Sequence, residues 1–430
     1  MTKPLEFART FSVTVKTLAF IGIPSCLSRY PEAWSAAVKA NRGLIVSFLS
    51  LAYCVLGQLV YFWTNIRLLE GEGMFLEFAN QIACTRFCTV GLLKLFMLSY
   101  HRNLLAGMLA ELAAWWNEKN KIPPERVQNL AQIRPTMNIV TVITIINVCM
   151  VSAFNLLPIA EMIVQGAQTG TWHRKLPYQI WFPWDSLTGW SYPLMYAFQI
   201  YSGLIVVIGN VGFDCIFYLI AAHLSVQLNY LNKSIEQLLD DNKLTVEKST
   251  KNNLDVERFK SDLFELIELH QKLLDYKALL ESIFSFTFFI TFSGATIIIC
   301  LQGIMIKTAS SYVVAKYFMF FICILLEIYF LCNYGHVMLR NNLNIGTSAF
   351  HGFCYKPAVN RGGINIEIGK CLVLIIMRTQ KPFQLTAWKF WPLNITSFSK
   401  VPLNKNMHFK YCLHMFTFRS SMHRGHIFHF

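Results

Sequence analysis

The sequence predicts an all-α, polytopic membrane protein, and three observations support this. The 430 residues are 54% hydrophobic and only 14% charged, whereas soluble domains carry about 25% charged residues. Six stretches stay apolar for about 20 residues, the length that a helix needs to cross the hydrocarbon core of a bilayer. Lysine and arginine gather in alternate connections between these stretches, as in cytoplasmic loops. We therefore expect one bundle of membrane-spanning helices.

Residues 1–43 are expected to form a cytoplasmic segment that leads into the first span. Lys3, Glu6, Arg9 and Lys16 are spread through it, whereas a cleavable signal peptide has an uninterrupted apolar core. This pattern favours an amphipathic lead-in helix over a signal peptide.

The first four spans are expected within residues 44–222. The second contains charged side chains at Glu77, Arg86 and Lys94, and the third carries no formal charge. The predicted spans are 44–64, 74–100, 136–160 and 194–222, with a polar segment at 101–135.

A long aromatic loop, residues 161–193, joins spans 3 and 4. Tryptophan and tyrosine favour the lipid–water interface, so we expect this loop to fold down onto the membrane. An interfacial belt and a cap over a ligand cavity are both open as its role. Its aromatic residues are Trp172, Tyr178, Trp181, Phe182, Trp184, Trp190 and Tyr192.

The polar stretch 223–281 is expected to form cytoplasmic helices that pack on each other. Its apolar residues recur at three- and four-residue steps, from Leu224 and Leu228 to Leu273, which is the pattern of an amphipathic helix. Spans 5 and 6 follow at 283–306 and 312–334, within residues 282–335.

The distribution of basic residues predicts that the N-terminus is cytoplasmic. One set of connections holds most of the lysine and arginine, whereas the opposite set holds only Arg67, Arg174, Lys175 and Lys307. Because basic loops stay in the cytoplasm, the first set is assigned to the inside. We ascribe the net charge of +14 to loops beside anionic lipid, and expect no nucleic-acid partner.

Ionisable residues inside spans are hypotheses about function. We expect Lys94 to reach the cytoplasm from the inner end of span 2. Arg86 either pairs with Glu77 or lines a wet cavity. Asp214 is expected to pack against cytoplasmic helices, and Glu327 to face the protein interior.

A short apolar run, residues 371–377, is too short to cross a bilayer and is expected to be a buried helix outside the lipid. A polar break that contains proline ends it, and a Leu-Thr-Ala triplet follows. The residues of this motif are Arg378, Gln380, Lys381, Pro382, Leu385, Thr386 and Ala387.

This order of residues resembles the last segment of insect odorant receptors, in which it precedes the pore-lining half of the seventh span. The outer-loop segments 174–178 and 181–185 resemble the second outer loop of that family. Asp214, His223 and Gln227 resemble family positions in the inner half of span 4.

The resemblance implies a seven-helix odorant-receptor channel fold with an inside N-terminus and cytoplasmic helical extensions. It implies an odorant-gated cation channel subunit, not an enzyme, that needs no cofactor. The implied partners are a shared odorant co-receptor, in a heterotetramer, and the lipid bilayer, in the plasma membrane of sensory neuron dendrites.

The same resemblance places the ligand site in the outer half of the subunit, among spans 2, 3, 4 and 6. A volatile odorant is small and apolar, so its site should be a largely apolar pocket with a few polar groups. The candidate residues are Asn147, Met150, Val151, Phe154, Tyr201, Ile205, Tyr317 and Phe321.

Residues 336–401 are expected to hold the cytoplasmic helix and the start of the pore helix, which includes Thr396 and Phe398. Beyond it, Lys400 and Pro402 stand where apolar pore residues are expected, so the seventh span rests on the resemblance alone. We expect the tail at 402–430 to be a mispredicted or read-through end; with that ending, the receptor body would lack its gate and be non-functional.

Two alternatives are weighed against this interpretation. A gustatory-type chemoreceptor of the same superfamily carries a Thr-Tyr…Gln-Phe signature in its last span, which the sequence lacks. A multi-pass secondary transporter would show paired broken helices and inverted repeats, and we see neither.

Overall fold

The chain forms a bundle of long helices in the computed structural model. The structure describes residues 4–22, 42–65, 72–119, 123–246, 253–308, 311–354, 366–380 and 383–398. The helices are α1 (Pro4–Thr10), α2 (Ser12–Phe20), α3 (Arg42–Asn65), α4 (Glu72–Tyr100), α5 (Arg102–Lys119), α6 (Pro123–Thr169), α7 (Ser191–Val246), α8 (Asn253–Thr308), α9 (Ser311–Cys354) and α10 (Ile366–Gln380).

Six of these helices, α3, α4, α6, α7, α8 and α9, are long and apolar enough to cross a membrane. They contain the six predicted spans, so the polytopic helical fold is confirmed. Below, "outer" means the side of the loop between α6 and α7, and "inner" means the opposite side, which the sequence assigns to the cytoplasm.

Helix α7 is the centre of the bundle. In its apolar 18-residue stretch 94% of the residues are buried, against 33–44% in the corresponding stretches of the other five helices. Helices α4, α6, α8 and α9 all pack against it. A helix that is apolar on every side is expected to lie in the interior, and residues 204–222 of α7 are almost uniformly apolar.

Several boundaries differ from the predicted ones because helices continue through polar stretches. The segment predicted as polar, residues 101–135, is largely helical in α5 and the start of α6. Helix α6 also continues past its predicted end to Thr169, where Gly170 takes a positive φ of 69° that suits a helix C-terminus. The outer loop is therefore shorter than predicted, with α7 starting at Ser191.

The N-terminal segment forms two short helices, α1 and α2, rather than the one helix predicted. They pack on the inner parts of the bundle at α5, α6 and α7. His223 of α7 packs against the Phe7 and Phe11 rings, with ring centroids 4.9 Å and 5.6 Å away. Its Nε2 atom is 3.0 Å from the Thr10 hydroxyl.

The inner extension of α8 makes polar contacts with α5 and α9, and α9 makes one with α10. The Tyr276 hydroxyl of α8 donates to the Met108 carbonyl of α5 at 3.1 Å. His270 Nε2 is 3.2 Å from Asn342 Oδ1, and Asn342 Nδ2 donates to the Thr379 carbonyl at 3.3 Å. These contacts join the predicted cytoplasmic stretch 223–281 to helices outside it.

The segment after α10 departs from the all-α prediction. Strands β1 (Thr386–Ala387) and β2 (Trp391–Pro392) form an antiparallel hairpin. Trp388 and Lys389 make its turn with positive φ values of 49° and 61°. The motif residues Lys381 and Pro382, and the whole tail from residue 399, lie outside the described residues.

Two side chains of α8 hold this hairpin in place. Glu281 accepts hydrogen bonds from the Thr386 amide and hydroxyl. The Ser285 hydroxyl donates to the Thr386 carbonyl at 2.8 Å and accepts from the Trp388 amide at 2.7 Å. These contacts from α8 give the Leu-Thr-Ala motif its extended conformation, which local helix propensity does not predict.

Candidate functional site

A partly open apolar cavity lies in the outer half of the bundle, between α3, α4, α6, α7 and α9. The space between its atoms, including the part that is open to solvent, totals about 500 Å³. Its lining residues are Cys54, Gln58, Cys84, Phe87, Cys88, Met150, Val151, Phe154, Tyr178, Ile180, Ser202, Gly203, Val206 and Phe320. We call this space the outer cavity.

The loop between α6 and α7 forms the roof of the outer cavity. Gln199 fixes Tyr178 by two hydrogen bonds, accepting from its amide at 2.9 Å and donating to its carbonyl at 3.0 Å. The Trp181 amide donates to the Gly57 carbonyl at 3.0 Å, and Gln81 Nε2 donates to the Gln179 carbonyl at 3.0 Å. The loop is therefore tied to α3, α4 and α7.

The aromatic loop has residues that face the cavity and residues that face outward. Tyr178 and Ile180 turn inward and line the cavity, whereas Trp172, Trp184 and Trp190 are exposed, as expected of an interfacial aromatic belt. Burial raises the pKa of the Tyr178 phenol well above its ordinary value. This phenol therefore stays a neutral hydrogen-bond donor at physiological pH.

Few polar groups face the outer cavity. Ser202 shares a hydrogen bond with Ser50 across a 2.8 Å gap between their hydroxyl oxygens. Gln58 Nε2 contacts the Cys88 sulfur at 3.6 Å, while its Oε1 atom is buried without a hydrogen-bond partner. An apolar wall with an unpaired carbonyl and a phenol suits a small, largely apolar ligand.

A second, more polar space lies directly inward of the outer cavity, and we call it the inner chamber. Phe87 and Phe320 line both spaces, and their rings pack edge to face with centroids 5.6 Å apart. Its remaining lining residues include Asn147, Asn210, Asp214, Tyr218, Cys323 and Glu327.

A buried ion triad stands beside the inner chamber. Lys94 Nζ donates to Asp214 Oδ2 and to Glu327 Oε1, both at 2.7 Å. The Lys94 side chain is fully buried, so the prediction that it reaches the cytoplasm is wrong. Two carboxylates hold it because an unpaired ammonium inside a membrane is costly.

The triad also corrects the prediction for Asp214 and completes that for Glu327. Asp214 contacts a lysine of α4 rather than a cytoplasmic helix. Glu327 faces the interior as predicted, and its partner is now identified as Lys94. The sequence shows that Lys94, Asp214 and Glu327 lie in three different spans, but it does not show that they pair.

Of the two positions predicted for Arg86, the structure does not show the pairing with Glu77. Its Nη2 atom donates to the Thr291 carbonyl of α8 at 2.7 Å, whereas Glu77 lies nine positions earlier in α4, about 13 Å along the axis. The guanidinium passes Gly294, where an added Cβ would lie 2.7 Å from Arg86 Nε. It lines a groove between α3, α4 and α8.

The eight predicted ligand residues are distributed over several places. Met150, Val151 and Phe154 line the outer cavity, and Asn147 lines the inner chamber. Phe320 lines both spaces, while its neighbour Phe321 does not line the outer cavity. The other three pack elsewhere: Ile205 and Tyr317 are buried, and the Tyr201 hydroxyl is 3.5 Å from the Ser47 hydroxyl.

Sequence reasoning missed the contributions of α3 and α4 to the outer cavity. Cys54, Gln58, Cys84 and Cys88 are cavity residues that stand in apolar stretches with no periodicity to mark an inward face. The one available signal was Gln58, a polar side chain in the middle of an otherwise apolar span. Among the described residues, no group of three or more metal-binding side chains is placed to hold an ion.

Comparison with known proteins gives a consistent result. The family model described as 7tm Odorant receptor matches residues 74–402. Putative odorant receptor 92a of Drosophila melanogaster is 26% identical over 366 residues, which is 83% of this chain and 83% of that protein. Odorant receptor 13a of the same organism is 23% identical over 412 residues, covering 91% of this chain and 94% of that one.

Solved structures share the fold. The insect olfactory receptor OR5 from Machilis hrabei, in complex with eugenol, superposes with a TM-score of 0.73 at 15% identity. The match covers 96% of this chain and all of that chain. A second structure of the same receptor gives a TM-score of 0.72 at 16% identity.

Proposed function

This chain belongs to the 7tm odorant receptor family, and we propose that it is an odorant-tuned subunit of an odorant-gated cation channel. The outer cavity is its ligand site. The observation that carries this is a largely apolar space beneath a loop that three helices hold in place. Its few polar groups would orient a small volatile ligand rather than solvate a charged one.

Helix α9 provides the connection from ligand to gate. It contributes Phe320 to the outer cavity, Glu327 to the ion triad and Gly335 to the contact with the last segment. The Phe398 ring packs against Tyr329 of α9, with centroids 5.4 Å apart. A ligand that binds the open arrangement more tightly would shift the population towards it, and α9 would carry that shift to the start of the pore helix.

The channel assembles with a shared odorant co-receptor, as a heterotetramer in the plasma membrane of sensory neuron dendrites. The family resemblance supports this partnership. An odorant-tuned subunit supplies the ligand site, and the co-receptor supplies the remaining walls of the pore.

Recording from cells that express the chain with the insect co-receptor tests this function. Application of volatile odorants should evoke a cation current that neither subunit gives alone. Substrate uptake by this chain alone, with no odorant-evoked current in the pair, would instead support a transporter.

Phe154→Ala tests the position of the ligand site. It removes a ring from the cavity wall, so it should change odorant responses without preventing assembly. Leu156→Ala is the matched control, because Leu156 is on the same helix but is 60% exposed on the outside of the bundle. Unchanged dose–response curves for Phe154→Ala across a ligand panel would refute the assignment.

A further inference from the structure

The inner chamber differs from the outer cavity in what its walls offer to a ligand. Asp214 is 95% buried, being only 5% exposed, and its Oδ1 atom has no hydrogen-bond partner. A buried carboxylate oxygen that accepts nothing is costly unless something fills its place. A hydrogen-bond donor bound in the chamber that Asp214 lines would satisfy this oxygen.

The two asparagines of the chamber also present acceptors. Asn147 Nδ2 donates to the Ile143 carbonyl at 2.9 Å. Asn210 Nδ2 donates to the Val206 carbonyl at 3.1 Å and to the Phe87 carbonyl at 3.3 Å. Each amide nitrogen donates to a backbone carbonyl, so the amide oxygen can accept from a ligand, and Asn147 keeps a second N–H donor.

The other polar groups of the chamber follow the same rule. The Tyr218 hydroxyl donates its proton to the Glu327 carbonyl at 3.4 Å, which leaves its lone pairs. Glu327 is an acceptor by charge. The described lining of the chamber thus offers mainly acceptors, and its donors are the weak Cys323 thiol and the second N–H of Asn147.

Charge points the same way. Both carboxyl groups of the triad line the chamber, whereas the Lys94 ammonium and the Arg86 guanidinium do not. The Nη2 atom of Arg86 donates to the Thr291 carbonyl, and its side chain lines a separate groove. A cationic donor is therefore favoured over a neutral one in this low-dielectric position.

We propose that the inner chamber is a subsite for the ammonium group of a primary aliphatic amine. An ammonium offers three donors, which match the oxygens of Asp214, Asn147 and Asn210. The alkyl chain passes Phe87 and Phe320, which line both spaces, and lies in the outer cavity. A bare metal ion is disfavoured because the approach is through an apolar space. This inference rests on the proposed function, whose ligand class it names.

Binding to the purified full-length chain in lipid nanodiscs tests the proposal without a co-receptor or a current. The probes are hexylamine, 1-hexanol and heptane, which have equal numbers of heavy atoms. At neutral pH an aliphatic amine is protonated. We expect hexylamine to bind at least about tenfold more tightly than heptane, the ratio for one charged hydrogen bond, with 1-hexanol between them. Equal affinities for the three probes would overturn the proposal.

Variants of Asn147 locate the ammonium. Asn147→Leu keeps the volume and removes the acceptor, so hexylamine affinity should fall about tenfold while heptane affinity stays the same. Asn147→Asp keeps the shape and should strengthen hexylamine binding, and it serves if the leucine variant does not fold. Unchanged amine affinity in the folded variants would overturn the proposal. Odorant currents without amine binding would overturn this subsite alone, whereas amine binding without any current would overturn the channel function alone.

Discussion

The outer and inner halves of the bundle are built differently. In the outer half, the helices stand apart around an apolar cavity, and a loop closes the space. In the inner half, the same helices are held by the Lys94 triad, by His223 among aromatic rings, and by the Tyr276 and Asn342 hydrogen bonds. Apolar contacts with a ligand are therefore concentrated in the outer half, and the buried charges that hold the helices together are concentrated in the inner half.

This separation has a physical reason. Dispersion contacts in the outer half are weak singly and can rearrange around a ligand, whereas a buried ion pair loses several kcal/mol if its partners part. A ligand can therefore reshape the outer half at a cost that its own binding offsets. The inner half, held by its ion pairs and hydrogen bonds, should instead move as a connected unit.

Removal of the Lys94 ammonium should have the largest effect. Lys94→Met leaves two buried carboxylates without their cation, and breaking a buried pair in this way costs about 3–5 kcal/mol. We expect a large fall in the thermal unfolding midpoint, followed by tryptophan fluorescence in nanodiscs, or loss of folded protein.

The exposed pair of Lys175 with Glu161, 3.1 Å apart in the outer half, is the matched control. Lys175→Met should cost at most about 1 kcal/mol, because solvent screens that pair. The triple variant Lys94→Met, Asp214→Asn, Glu327→Gln should recover part of the lost stability. Equal effects of the two single lysine variants would remove the contrast between the halves.

Acid should weaken the inner half through His223. Burial lowers its pKa to about 3 from an ordinary value of 6.5. Between these two pH values the unfolded chain binds a proton at His223 and the folded chain does not. The contribution of neutral His223 to the free energy of unfolding is therefore complete above pH 6.5 and is lost as the pH falls towards 3. The loss approaches about 1.4 kcal/mol per pH unit.

His223→Gln checks this pH dependence, since glutamine does not titrate and can still contact Thr10. The midpoint of thermal unfolding, measured from pH 7.5 down to about 4.5 across the range where the histidine charges, should fall less steeply in the variant than in the original chain. Two parallel curves would show that His223 does not drive the acid sensitivity.

A methyl group at Gly335 tests the contact between α9 and the last segment. An added Cβ would collide with the Leu393 carbonyl oxygen and lie 2.8 Å from the Leu393 Cβ. Overpacking of this kind costs about 1–3 kcal/mol. We expect Gly335→Ala to reduce the maximal odorant current more than it changes ligand affinity.

Gly107→Ala is the control for this substitution. Gly107 is inside α5, and an added Cβ meets nothing within 4 Å, so the helix should be unchanged or gain up to about 1 kcal/mol. A loss of current in both variants would mean that the effect of Gly335→Ala does not come from the Leu393 contact.

Particular residues show how far the sequence reaches. Periodicity and hydropathy predicted the spans, and the Arg378 to Ala387 motif pointed to the family. The resemblance placed Met150, Val151 and Phe154 at the ligand site, and they do line the cavity. These features are local, so each can be predicted from one stretch of the sequence.

Features that depend on contact between distant segments were not predictable. The pairing of Lys94 with Glu327 joins residues 233 positions apart, and the choice of Phe320 over Phe321 depends on the rotation of α9 within the bundle. The β1–β2 hairpin arises from the side chains of α8. Each is decided by packing, which outweighs local propensity.

A pair of glycine variants in α7 tests most directly whether the ligand binds in the outer cavity. At Gly203 an added Cβ would lie 2.8 Å from the Tyr178 hydroxyl and 3.2 Å from Val151, inside the outer cavity. At Gly209 it would meet its nearest neighbour, the Gly91 carbonyl, at an ordinary 3.6 Å. The measurement is the odorant concentration–response curve of each variant with the co-receptor, normalised to surface expression. For Gly203→Ala we predict about a tenfold shift in the odorant concentration that gives a half-maximal response, as expected of an overpacked site. For Gly209→Ala we predict a curve that matches that of the original chain. Identical curves for the two variants would contradict the placement of the ligand in the outer cavity.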